Sequence, residues 1–226
     1  MVPVWLQALA WAWLTACGVC ALVIAVDLFR SPQKMPVMNV VWPVNALYLG
    51  PIALVAYQRI GRLARRTGAK DPEVSRHKPF WQTVFVADTH CGAGCTLGDI
   101  AAEWFVFLAA IKMGGNAIWP DLIFDFSAAY LLGIIFQFLT IAPMRGLHGW
   151  EGVKAALKAD TLSLISFEVG LFGWMLLTRF VFFRDRPLEP TEATYWFMMQ
   201  IGMCIGFLTS YPVNWWLVRA KLKEAM

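Results

Sequence analysis

Residues 88–103 read Asp88-Thr-His-Cys-Gly-Ala-Gly-Cys-Thr-Leu-Gly-Asp-Ile-Ala-Ala-Glu103. Read as a helix, Cys91, Cys95, Asp99 and Glu103 recur every fourth residue and make one near-continuous stripe. His90 and Asp88 lie beside its start. The chain around this stretch is built for lipid. Thiols, an imidazole and carboxylates are costly in hydrocarbon, so such groups face a bundle interior or a wet cavity. The stretch therefore predicts an all-α, polytopic membrane helix bundle with a polar interior, and it is the first place to look for function.

Composition agrees. The chain has 226 residues, 59% of them hydrophobic and 15% charged, with mean hydropathy +0.57. That is membrane composition rather than a soluble domain with a large core. Twelve Trp suit membrane interfaces. The net charge of +4 is modest, and the basic residues cluster at span ends, which argues against nucleic-acid binding. The first 26 residues carry no charged side chain. They lack the basic start of a secretory signal and are too long for its short apolar core. Leu14-Thr-Ala-Cys17 resembles a lipoprotein cleavage box, but the segment reads as a retained transmembrane helix.

About six segments are apolar and long enough to span: 3–29, 38–58, 95–112, 119–143, 161–183 and 195–218. A straight helix from Pro79 to Lys112 would be ~50 Å long, well over a hydrocarbon thickness of ~30 Å. A broken or re-entrant segment is therefore expected near 79–94, with Gly92 and Gly94 supplying the bend. The chain reads as one integral-membrane domain, 1–226. Residues 1–78 hold two spans and a basic loop, and 79–226 form a four-span, motif-bearing bundle. In a six-span arrangement thirteen basic residues fall on one side, in loops 59–78 and 144–159 and in the C-terminal tail, against five on the other. The positive-inside bias then predicts both termini in the cytoplasm. Ala87-Asp88-Thr89 recurs as Ala159-Asp160-Thr161, a faint internal echo.

All five cysteines fall in apolar segments. Membrane cysteines are often only small hydrophobes, but His90, Cys91 and Cys95 beside carboxylates are a soft-metal ligand set. Met199 and Met203 stand one turn apart beside Gly202-x-x-x-Gly206. Thioethers bind Cu(I) well and hard ions poorly. This short stretch resembles the Met-x-x-x-Met and Gly-x-x-x-Gly elements of eukaryotic copper transporters, in which the two methionines form a Cu(I) ring. The expected metal ligands are thus His90, Cys91, Cys95, Met199 and Met203. Asp88, Asp99, Glu103 and Glu168 are expected around them as further contacts or proton partners. Cys17 and Cys20 form a candidate secondary thiol site. Glu168, in mid-span, needs a polar partner: His90, Arg179 or a cation. Asp121 and Asp125 are expected to line an outward mouth.

His90-Cys-Gly-Ala-Gly-Cys95, Ala159-Asp-Thr-Leu-Ser-Leu164, Phe172-Gly-Trp-Met175 and Pro212-Val-Asn-Trp-Trp216 together resemble a bacterial integral-membrane family, a domain of unknown function sometimes labelled copper-related. The likeness covers most of residues 79–226. It implies a bacterial inner-membrane protein in a lipid bilayer. The expected function is binding or transport of a soft metal ion, most readily Cu(I), with no catalytic residue assigned; whether the protein is also an enzyme is left open, the reading leaning against it. Copper is accordingly the expected cofactor or cargo. The rivals are a membrane thiol-redox enzyme using Cys91 or Cys95, and a non-catalytic subunit of a larger membrane complex or homo-oligomer.

Overall fold

The computed structural model describes residues 2–62, 79–113 and 118–223. The helices are α1 (Val4–Arg30), α2 (Met38–Leu49), α3 (Pro51–Ala56), α4 (Phe80–Leu108), α5 (Ile118–Arg145), α6 (Gly149–Leu177) and α7 (Ala193–Arg219). α3 and α6 each run on into one π-helical turn, Tyr57–Gly61 and Thr178–Phe182. α1, α4, α5, α6 with its extension, and α7 are long and apolar enough to cross a membrane. The protein is an all-α, multi-pass membrane bundle. Large apolar side chains such as Leu131, Val169 and Leu208 face outward, while Asp88, Asp99, Gln137, Asp160, Ser210 and Asn214 are fully buried. Lipid covers the first set, so the second must find partners inside.

α4 is continuous over 29 residues, so the bend expected at Gly92 and Gly94 does not form. Those glycines serve packing instead. A Cβ on Gly94 would strike the Gly133 backbone of α5, and one on Gly98 would strike the Ala129 backbone. In lipid, helix association depends on such close backbone approach rather than on apolar burial. Gly170 and Gly206 bring α6 and α7 together in the same way.

The interruption falls in the segment 38–58, which was expected to cross. Gly50 ends α2 at φ +54°, ψ −125°, and Pro51 starts α3. A positive φ suits a residue without Cβ, and Pro fits the first turn of a helix but cannot continue one. The chain therefore turns back. Gly61 packs against the Trp42 ring. Trp42 and Tyr57 meet edge to face at 5.6 Å. Gln33 Nε2 donates to the Gly61 carbonyl at 3.0 Å. α2 and α3 are thus the two arms of a re-entrant hairpin. Its tip, Gly50, lies against Trp13 and Cys17 of α1, roughly halfway along that helix.

This hairpin changes the topology. One end of the bundle holds the end of α1, both feet of the hairpin, the starts of α4 and α6, and the end of α7. Phe80 meets Trp215 edge to face, and Val84 and Ala87 pack on Val218 there. At the opposite end Val2 and Leu6 pack with Met198, Phe183 and Leu188. The start of α1 and the end of α7 therefore lie at opposite ends of the bundle, and segment 38–58 returns to the end it came from.

Candidate functional site

Asp88, Cys91, Cys95, Asp99 and Glu103 lie on one face of α4, and all are buried. Fifteen residues at 1.5 Å per residue give the stripe a depth of ~22 Å, most of a ~30 Å hydrocarbon layer. Each member meets polar groups from other helices.

At the end where α7 finishes, Ser210 Oγ donates to Asp88 Oδ1 at 2.7 Å, and Asn214 Nδ2 donates to the same oxygen. Asn214 Nδ2 also reaches Ser163 Oγ at 2.6 Å. Lys223 Nζ donates to Asn214 Oδ1 at 2.7 Å and forms an ion pair with Asp160. Lys223 reaches this place through the cap of α7. Lys221 adopts φ +57°. The Lys221 amide bonds to the Val218 carbonyl, and the Leu222 amide to the Leu217 carbonyl. This is the Schellman arrangement, and it reverses the chain. Burial works against the charge of Lys223, but the Asp160 carboxylate beside it prevails, so its ammonium is held above its ordinary range.

In the middle, the Cys91 and Cys95 side chains lie beside one another. Glu168 of α6 lies beside Cys95 and Asp99. At the far end Glu103 lies beside Tyr195 of α7 and Asp125 of α5. Glu103, Asp125 and Tyr195, together with Asp121, Arg179 and Met199, line a cavity of about 520 Å³. Among the described residues, Asp88 Oδ2, Asp160 Oδ2, Asp125 Oδ1, both oxygens of Asp99 and both of Glu168 have no protein hydrogen-bond partner. Buried polar atoms are nearly always satisfied, so a line of seven exceptions calls for an occupant. The result is a polar file that starts at Lys223 and opens at the cavity.

The expected ligands are divided by this arrangement. Cys91 and Cys95 belong to the file. His90 is fully buried, but its Nδ1 lies 2.9 Å from the Val86 carbonyl, which makes Nδ1 the protonated nitrogen. Its Nε2 has no protein partner. Met203 Sδ accepts from Thr96 Oγ1 at 3.8 Å. Met199, which also lines the larger cavity, lines a second pocket of about 180 Å³ together with Met203 and Cys17. Cys20 is buried on α1, and Cys204 Sγ donates to the Tyr48 carbonyl at 3.6 Å. Among the described residues no three His, Cys, Asp or Glu side chains form a group able to hold a metal ion. The sequence reading missed Ser163, Tyr195, Ser210, Asn214 and Lys223. Asn214 had a signal, as an amide in an apolar run, but Lys223 looked like one more tail cation.

No curated protein and no solved structure matches this chain. A model of the family described as a domain of unknown function (DUF4396) matches residues 80–223, from the first residue of α4 to the lysine that closes the file, and the chain belongs to that family.

Proposed function

We propose that the protein is a membrane transporter that moves protons along the buried file, between the cavity at Glu103 and Asp125 and the cluster at Asp88 and Asp160. The supporting observation is that protonatable groups line one face of α4 over ~22 Å of depth, with Glu168, Asp125 and Tyr195 supplied from three other helices. Ionisable chains inside membrane bundles mark proton relays and ion paths. Their cost to stability is hard to explain by folding alone. Lys112, Arg179, Arg184 and Arg186 stand at the cavity end, while the other end carries most of the basic residues. By the positive-inside bias the cavity opens to the outside of a bacterial inner membrane and the Lys223 end faces the cytoplasm.

Proteoliposomes loaded with a pH-sensitive dye and polarised with valinomycin test this reading. Wild type should take up protons on polarisation. Asp99→Asn and Glu168→Gln should each slow uptake at least about tenfold, as expected when a relay member can no longer exchange a proton. Uptake no faster than in empty liposomes would refute the proposal.

A second reading is favoured by the soft donors. The adjacent thiols of Cys91 and Cys95, with Met199, Met203 and Cys17 lining a neighbouring pocket, suit Cu(I) as cargo. Competition titration under reducing conditions against a Cu(I) chelator decides it. The Cys91→Ser, Cys95→Ser double variant should bind at least tenfold more weakly than wild type if this reading holds.

A further inference from the structure

We propose that Asp88, Asp160, Asn214, Ser163 and Ser210 form a binding site for a hard monovalent cation, and that the Lys223 ammonium occupies it as a tethered counter-ion. This deepens the transport reading and rests on it for its meaning, but it is testable by binding alone.

Two oxygens meet the Lys223 ammonium directly, Asp160 Oδ1 and Asn214 Oδ1, and the Asn214 amide nitrogen ties Asp88 and Ser163 to them, with Ser210 bonded to Asp88. Two carboxylates come from α4 and α6, an amide carbonyl from α7, and hydroxyls from α6 and α7. All five residues are fully buried. An ammonium is a compact point charge. It fills the place of a small cation without matching it atom for atom. Hard cations prefer oxygen ligands, and no sulfur or imidazole takes part in these bonds. Sodium and potassium are the ions of this class.

The charge balance leaves room for a cation. Asp88 and Asp160 together can carry two negative charges, and Lys223 supplies one positive. One oxygen of each carboxylate, Asp88 Oδ2 and Asp160 Oδ2, has no protein partner. An unpaired carboxylate at this depth demands a proton or a cation. The lysine is attached by a short reversal after α7 rather than by a membrane helix. Withdrawing it requires undoing only the turn Ala220–Lys223, which would leave an oxygen-lined vacancy at the mouth of the file. The two acids come from Ala87-Asp88-Thr89 on α4 and Ala159-Asp160-Thr161 on α6, helices that start at the same end of the bundle. The sequence echo thus marks the two acidic walls of one site.

The experiment measures thermal unfolding of the purified full-length protein in detergent, in choline chloride and with sodium or potassium chloride at matched ionic strength. Lys223→Met removes the tethered charge. It should gain at least ~3 °C in Tm when sodium or potassium reaches tenfold its Kd, whereas wild type should not respond. Lys223→Met combined with Asp160→Asn returns the cluster to its wild-type net charge and removes one of its carboxylates, and should lose the response. If Lys223→Met unfolds in choline, recovery of the folded protein by sodium or potassium supports the site. Failure to recover, or a folded variant indifferent to both ions, overturns it. Loss of proton uptake in liposomes leaves this binding result standing. Proton uptake without any ion response removes the cation site and leaves the relay.

Discussion

Gly98 shows how finely α4 is set against α5. Its missing side chain lets the Ala129 backbone approach, and a Cβ would overlap backbone that has no way to yield. Gly98→Leu should destabilise the bundle by at least about 1–3 kcal/mol, the usual cost of overpacking. Gly18 on α1 is the control, since a Cβ there meets nothing within 4 Å. Gly18→Ala should be neutral or stabilising by up to ~1 kcal/mol, the helix-propensity difference. Thermal unfolding in detergent compares the two. Lys221 offers a third residue-scale test. It sits at φ +57° in the cap of α7, where glycine is the usual occupant. Lys221→Gly should therefore stabilise the cap by about 0.5–1 kcal/mol. A fall in Tm would show that the Lys221 side chain contributes something its backbone geometry does not reveal. The residues named in the file were half visible at this scale. Four-residue spacing put Cys91, Cys95, Asp99 and Glu103 on one face of a helix. Nothing local announced that Lys223 would turn inward, because its burial depends on Asp160, 63 residues away.

Among the elements, the α2–α3 hairpin departs most from its reading. A hydropathy window sees residues 38–58 as one span, because both arms are apolar. The break rests on the pair Gly50-Pro51, which a window averages away. Gly50→Leu should disrupt the tip twice over. The φ of +54° is strained for a side chain, and its Cβ would lie 2.9 Å from Cys17 Sγ. A loss of about 1–3 kcal/mol follows from strain of this kind. Restoring space with Cys17→Gly should recover only the steric part. Tyr57 Oη donates to Asp27 at one foot of the hairpin, and Arg62 pairs with the same carboxylate at 3.5 Å. Half-exposed pairs of that kind contribute little, so the hairpin is held mainly by Asn45, which donates to the Thr89 carbonyl of α4 at 2.8 Å, and by Gln200, which donates to the Leu47 carbonyl. Asn45→Leu should loosen the hairpin from α4. A fall in Tm of the purified protein in detergent would report it.

At the scale of the molecule, five helices long and apolar enough to cross and one re-entrant hairpin put the start of α1 at the cavity end and the end of α7 at the Lys223 end. Reversal of the hairpin places Arg30 and Lys34 with the other basic residues, so the charge asymmetry becomes steeper than six crossings allow. Residues 63–78, with Arg65, Arg66, Lys70, Arg76 and Lys78, lie outside the described residues. Arg62 and Pro79 both belong to this same end. A fluorescent reporter fused after Met226 should be active in the cytoplasm, and an alkaline phosphatase fused before Met1 behind a secretory leader should be active outside. The same side for both would exclude the five-crossing arrangement and return segment 38–58 to a full span.

Some of this was determined by the sequence alone. Its hydropathy demanded a membrane, the long apolar runs demanded helices, and the spacing of Cys91, Cys95, Asp99 and Glu103 put them on one face. Those properties are local: they depend on residue type and helical period, and no partner changes them. Tertiary structure alone decided what that face meets. Glu168 met Cys95 rather than His90 or Arg179, Met203 went to a second pocket with Cys17 while Met199 came to line both pockets, and Lys223 entered the bundle to join Asp160. It also decided that 38–58 would fold back and that Gly92 and Gly94 would pack rather than bend. The physical reason is the same in each case. A buried polar group or a glycine states that something must fit against it, and only the arrangement of distant helices supplies what does.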